Sequence, residues 1–451
     1  MHASHPQAKL YTSLNVIMQG QVTFKIARLG AIRDSSMTLA PMMLFSGDSG
    51  LGKSYAAFLV HYLYNLLTGK DRIMAFLKDR DYTLPEDPTL VAPKGGVPIL
   101  SIPAKELMEW LNRDAVSYVA YMVGNPDLEG EVEIDLPLDP GSMLDFTFFT
   151  EMRGLDSQEE VYYKINLGNI SYSVISNEYK PSAEPYGALI RAHLRDLLFG
   201  HMNSIFGNFL LPPSRGALME MDERPNFRSG MYEEFFDLKA LLNSPQKEQP
   251  QVNKSLEDCV HKVNKGFVRR EESQYVYELS DGQKIPLTAA ASSIKELAPL
   301  TLLLNRFPVK GLSILFEEPE AHVHPNRQVK LADLLACIVK EGAHLQVTTH
   351  SDYLIKRLNN LMRLSLLQGK MPEEDFAKLL SECGIEPEYL LSAEDVRAFL
   401  LREREDGSSE IAEQDLSEEH SIPFESFYQV IHEDMDLTRR IDDELDRRSA
   451  E

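Results

Sequence analysis

Eight consecutive residues, Gly47-Asp48-Ser49-Gly50-Leu51-Gly52-Lys53-Ser54, fit G-x-x-x-x-G-K-[ST] at every fixed position. The chemistry open to such a stretch is the binding of a triphosphate, with ATP the expected one. Its glycines let backbone N–H groups approach phosphate oxygens with no Cβ in the way. A helix starting behind the loop would add its N-terminal amides and dipole. Lys53 is then placed to reach the β- and γ-phosphates, and the Ser54 hydroxyl to ligate Mg²⁺.

A second run, LSILFEEPEAHVHP from Leu312 to Pro325, is a buried apolar strand that ends in paired carboxylates, Glu317 and Glu318. Neighbouring residues at a strand end point differently, so the two can take different roles. Glu317 is expected to hold Mg²⁺, and Glu318 to polarise an attacking water as general base. A third run, HLQVTTHS, leads a strand into His350, whose imidazole could hydrogen-bond a γ-phosphate and report its presence. A fourth, ASSIKELAPL, opens a helix at Ser292 and Ser293. Glu296 follows Ser293 by three residues, which is also the spacing of a capping box. The functional alternative is that this helix N-terminus meets the γ-phosphate held by a second subunit.

The elements around these runs suit them. Val22, Phe24 and Ile26 read as one strand and Met42 to Phe45 as a short buried one. Lys53 to Leu67 has helical spacing, which gives the strand, glycine-rich loop and helix of a P-loop. Residues 70–98 carry Pro85, Pro88, Pro93 and Pro98 and read as an irregular connection, and residues 125–145 are acidic and contain proline and glycine. Ile99 to Ile102 reads as a strand, Lys105 to Asn112 as the start of a helix, and Ala183 to Asn208 as one long amphipathic helix. Two hairpins are expected, one turning at Gly168-Asn169 and one at Asp281-Gly282, with Pro286 confining its strand to an edge. Residues 244–253 are the linker candidate. Beyond Ser292, helices alternate with continuous apolar strands, the pattern of a parallel sheet covered on both faces. A short strand near Arg397 to Leu401 and a charged helix from Phe424 to Arg448 close the chain.

Composition narrows the function. The 451 residues are 43% hydrophobic and 25% charged, as in a soluble globular protein. The net charge of −23 opposes non-specific adhesion to DNA or anionic membranes. Lys254, Lys262, Lys265, Arg269 and Arg270 crowd one stretch, but acidic residues interrupt it, and a solvated helix face is expected there. No apolar run is long enough to span a bilayer, and Met1 to Gln19 lacks the order of a signal peptide. Three scattered cysteines, Cys259, Cys337 and Cys383, predict neither a disulfide framework nor a zinc site, and a cytoplasmic location fits.

In chain order, the P-loop, the helix-opening serine pair, the carboxylate strand and the strand leading to His350 resemble the ABC-type ATPase head shared by SMC proteins and the overcoming-lysogenization-defect (OLD) family. EEPEAHVHP with TTHSDYL is especially similar to OLD-like bacterial AAA-annotated ATPases, and Leu211-Pro212-Pro213-Ser214-Arg215 resembles a Pro-x-Ser-Arg segment of that group. The resemblance covers about residues 15–60 and 205–360. It implies an α/β P-loop NTPase fold with a mixed or parallel core sheet, an antiparallel β element, helical insertions and a small C-terminal extension. The expected units are 1–112 (P-loop lobe), 113–243 (insertion), 254–360 (second ATPase lobe) and 361–451 (extension).

The resemblance further implies a homodimer or higher oligomer that sandwiches ATP between the P-loop of one chain and the Ser292-Ser293 segment of another. Closure of that dimer would gate a separately encoded effector such as a nuclease, as in anti-phage defence. The alternative is a DNA-repair or chromosome-maintenance clamp. Three departures stand out: Ser49 where relatives often have Asn, no double glycine in the signature helix, and no TOPRIM nuclease domain. Asp434-Met435-Asp436 imitates a nuclease D-x-D but lies in a helical charged stretch and reads as a solvated face.

Overall fold

Met42, Met43, Leu44 and Phe45 are all completely buried, which requires cover on both faces of the strand that carries them. The computed structural model describes residues 21–87, 98–153, 160–200, 205–245, 254–271, 274–416, 422 and 425–449. Its first elements are strands β1 (Thr23–Leu29), β2 (Ile32–Thr38) and β3 (Met42–Gly47), then helices α1 (Lys53–Thr68) and α2 (Asp71–Asp79). Next come β4 (Pro98–Pro103), α3 (Ala104–Val123), β5 (Gly130–Asp135), β6 (Met143–Arg153), β7 (Glu160–Leu167), β8 (Ile170–Ile175) and α4 (Glu184–Phe199). The middle of the chain forms β9 (Gly207–Leu211), α5 (Arg215–Glu220), α6 (Gly230–Asn243), α7 (Lys254–Asn264), β10 (Gly266–Glu271), β11 (Gln274–Leu279) and β12 (Lys284–Pro286). The remainder is α8 (Ser292–Arg306), β13 (Leu312–Glu317), α9 (Pro325–Lys340), β14 (His344–Thr348), α10 (Asp352–Leu367), α11 (Glu373–Cys383), β15 (Val396–Glu403), β16 (Ser409–Glu413) and α12 (Glu425–Ser449).

A nine-stranded sheet in the order β5-β1-β2-β16-β15-β3-β14-β13-β9 is the centre of the molecule. Five neighbouring strands, β15, β3, β14, β13 and β9, run parallel. The flank from β16 to β5 is mostly antiparallel, joined to β2 by a parallel bridge. Side chains alternate across the sheet as the pleat dictates. Met43 and Phe45 enter the core built with α1 to α4, whereas Met42 and Leu44 enter the core built with α6 to α10. Two smaller antiparallel sheets, β4-β6-β7-β8 and β10-β11-β12, stand apart from it. Both expected hairpins form, and Pro286 lies on an edge strand. Among the described residues no helix is long and apolar enough to cross a membrane.

Several expectations are corrected. The long helix over Ala183 to Asn208 is instead α4 followed by β9, the edge strand of the main sheet. The apolar run after residue 204 is too short for periodicity to separate helix from strand, and only its non-local pairing with β13 decides. Residues 70–98 contain α2, whose Ile73, Phe76 and Leu77 are buried, and residues 125–145 contain β5 and the start of β6. Most of the linker candidate, 246–253, lies outside the described residues. Asp434, Met435 and Asp436 are exposed on α12. Cys259 and Cys337, distant in sequence, are free buried thiols with Sγ atoms 3.0 Å apart where α7 packs on α9.

The C-terminal strands lie inside the main sheet. β15 pairs in parallel with β3 over six register positions and separates it from β16. A chain ending at Leu391 is therefore expected to lose near-ultraviolet circular dichroism and its cooperative thermal transition, because β3 would be left with an open edge. An unchanged melting temperature would show that the last strands are dispensable.

Candidate functional site

The C-terminal ends of β3, β14 and β13 lie side by side, the place where ligands bind in open α/β sheets. β3 delivers the P-loop, β14 delivers His350 and β13 delivers Glu317 and Glu318. The loop has backbone geometry that glycine alone takes without strain. Gly47 has φ +122°, and a Cβ there would lie 2.4 Å from the carbonyl oxygen of Leu401 in β15. The buried Ser409 at the start of β16 donates its hydroxyl to the Leu51 carbonyl (2.7 Å), so the loop is braced from outside by the last two strands. α1 begins at Lys53 with no acidic residue in its first turn, leaving its N-terminus electropositive. The Lys53 ammonium donates to the carbonyls of Gly47 (3.0 Å) and Asp48 (2.7 Å). Burial lowers its pKa, against the pull of Glu318 and Asp48. Asp48, Ser49 and Gly50 are exposed at the rim, with Leu51 and Gly52 partly covered.

Glu317 closes β13 and is 2% exposed. Burial pushes its carboxyl up to about 7, opposed by the Ser54 hydroxyl that lies against it. Its Oε1 is buried without a hydrogen-bond partner. An orphaned carboxylate oxygen beside a serine hydroxyl is a hard-oxygen donor pair that fits Mg²⁺ and leaves positions for phosphate oxygens and water.

Glu318 departs from the strand with φ +44°, a left-handed conformation that strains a non-glycine residue. Its N–H donates to the Thr348 carbonyl at 3.0 Å, which ties the carboxylate turn to β14. His350 is half-buried, and burial followed by the nearby Lys53 charge lowers its pKa, favouring a neutral imidazole. Its loop is held by Thr349, whose N–H donates to the Phe45 carbonyl (2.9 Å), and by Ser351, whose hydroxyl donates to Gln328 Oε1 (2.6 Å).

Arg215, noted in the sequence only within the Pro-x-Ser-Arg resemblance, proves central. It is fully buried and donates to the carbonyls of Pro212 (3.0 Å), Glu296 (2.8 Å), Glu317 (2.9 Å) and Glu318 (3.3 Å). The Glu296 carboxylate is 3.8 Å from its Nε, and its guanidinium lies over the Phe316 ring. Glu296 is therefore no capping-box partner. The N-cap of α8 is Ala291, with no side-chain cap, and Glu296 points into the core toward Arg215. Ser293 accepts a hydrogen bond from Arg327 (3.0 Å), while Ser292 is exposed. Among the described residues no hydrogen bond or ion pair joins the start of α8 to the P-loop of the same chain.

The fold is of the P-loop NTPase class. Residues 157–355 match the family model described as "AAA ATPase domain", a span that takes in both carboxylates and His350 but not the P-loop. Among solved structures, an SMC head domain from Thermotoga maritima is similar at 11% identity, with a TM-score of 0.34, over 88% of this chain and 100% of that one. An Smc head bound to the C-terminal domain of ScpA, derived from Pyrococcus furiosus, is similar at 12% identity, with a TM-score of 0.37, over 92% and 98%. No curated protein matches the chain.

Replacing Arg215 by Met should destabilise the protein by ~3–5 kcal/mol, since it leaves buried carbonyls and the Glu296 carboxylate without their donor. Urea unfolding measures this, and a loss below about 1 kcal/mol would deny Arg215 its central place.

Proposed function

We propose that this chain binds ATP with Mg²⁺ and hydrolyses it. The observation that carries the reading is the meeting of Lys53, Ser54, Glu317 and Glu318 beyond the ends of β3 and β13, on either side of β14, with the buried Glu317 oxygen lacking a partner. Phosphate oxygens would replace the Gly47 and Asp48 carbonyls as partners of Lys53. Ser54 and Glu317 would hold the cation, which supplies charge neutralisation across the β- and γ-phosphates. Glu318 would take a proton from a water as its oxygen attacks the γ-phosphorus. The bond to the β–γ bridging oxygen breaks, and the products are ADP and inorganic phosphate. His350 would hydrogen-bond the γ-phosphate and sense its departure.

The exposed Ser292, with no hydrogen bond to the P-loop of its own chain among the described residues, supports a composite site completed by a second copy. Under this reading Ser292 is the serine used in trans, because Ser293 already serves Arg327. ATP would close the dimer and hydrolysis would open it, gating an effector on another chain, a nuclease by the resemblance. The DNA-clamp alternative draws less support from charge. Lys262 pairs with Glu386 and Tyr389, and Arg269 with Glu278, which disperses the basic stretch. A co-purification that recovers the neighbouring gene's product would support the effector reading, whereas turnover raised by DNA at low salt would support the clamp.

Two experiments test the site. Glu318→Gln should keep nucleotide affinity and lose about 10²–10⁴-fold in phosphate release, whereas Lys53→Ala should lose affinity itself. Hydrolysis at the normal rate by the glutamine variant would reject Glu318 as the base. For the composite site, Lys53→Ala and Ser292→Arg chains should each be inactive alone. Mixed together, they should regain a fraction of turnover, because one of the two sites in a mixed dimer is intact. Absence of any recovery in mixtures shown to exchange subunits would argue for a site complete within one chain.

A further inference from the structure

Glu320 lies within the EEPEAHVHP segment without a role assigned to it, yet its carboxyl holds the main chain of the His350 turn. It sits two residues beyond Glu318, in the turn after β13. Its Oε1 accepts a 2.6 Å hydrogen bond from the backbone N–H of His350. The Thr349 hydroxyl lies beside it, and its buried Oε2 makes no well-formed hydrogen bond. A carboxylate accepting a backbone N–H forms a short, charge-assisted bond, stronger than a neutral one. This bond joins the carboxylate turn of β13 to the His350 turn of β14. Glu318 is held by its own N–H on Thr348, and its carbonyl by Arg215. Among the described residues, the hydrogen-bond partner of the His350 main chain is Glu320.

We propose that Glu320 is a positioning residue for hydrolysis: its carboxylate fixes the main chain of His350 so that the imidazole and Glu318 address the same γ-phosphate. This rests on the ATPase reading above. Displacing a catalytic group by about 1 Å can cost about 10²-fold in rate, so loss of this anchor acts on turnover more than on binding.

The test compares Glu320→Ala, Glu320→Gln, His350→Ala and the Glu320→Ala/His350→Ala double variant, with kcat and KM for MgATP and a melting temperature for each. Glu320→Ala should lower kcat about 10- to 100-fold with KM within about threefold. Glu320→Gln retains an acceptor oxygen and should recover most of the rate. In the His350→Ala background, Glu320→Ala should cost less than about threefold more, because both act through one group. If the alanine variant does not fold, Glu320→Asp, whose shorter side chain withdraws the acceptor, takes its place with the same expected fall. The proposal is overturned if Glu320→Ala turns over normally, if glutamine does no better than alanine, or if the loss persists in full without the His350 imidazole. Glu318→Gln, measured alongside, separates the two levels: wild-type hydrolysis there would overturn the ATPase reading beneath the proposal.

Discussion

A buried guanidinium with no exposed surface is costly to desolvate, by several kcal/mol for the ion alone. Arg215 offsets that cost with four carbonyl acceptors, the Glu296 carboxylate and the face of Phe316. Its partners come from three distant segments: the 212–215 turn, the first turns of α8, and the end of β13. The fit is close on every side. Gly216 has no room for a side chain, since a Cβ would lie 2.9 Å from Glu296 Oε1. Ser214 and Glu318 both adopt left-handed backbone on either side of the charge. Strain of this kind persists only where surroundings over-determine it, and the guanidinium supplies that constraint. Through it, the helix that opens at Ser292 is mechanically connected to the carbonyls of both site carboxylates.

The electrostatic balance of the site follows from the same arrangement. Three carboxyl groups, Glu317, Glu318 and Glu320, face Lys53 and Arg215 in a space largely closed to water. Burial raises Glu317 toward neutrality and lowers Lys53, so the charged form of each is held at a disadvantage. A phosphate beside Lys53 and a cation beside Glu317 would each relieve the other's neighbourhood.

Much of this was legible in the sequence, and the exceptions have physical causes. The P-loop, the β13 strand, His350 and the order of the elements that carry them could be read because each is local: a glycine spacing, a continuous apolar run, a strand followed by a helix. β9 could not, because five residues with no period of their own become a strand only by lying beside β13. Ser293 and Glu296 satisfied a capping pattern, yet tertiary burial turned Glu296 toward Arg215 instead. Glu320 and Arg215 lie within the EEPEAHVHP and LPPSR segments, but nothing in their spacing distinguishes a group that holds main chain from one that faces solvent. In both, the decisive interaction is a side chain reaching carbonyl or amide groups about 30 to 100 residues away in sequence.

The place of β15 beside β3 bears on when the protein becomes competent. The strand that carries the P-loop precedes by some 350 residues both its neighbour on one side, residues 396–403, and the loop's brace, Ser409. Until those residues leave the ribosome, β3 has an unpaired edge and Gly47 lacks the neighbour that shapes it. Pairing across some 350 residues is slow, and an exposed parallel edge invites misassembly or chaperone capture. The backbone shape of the P-loop is thus completed only when a strand from some 350 residues further along the chain has paired beside it.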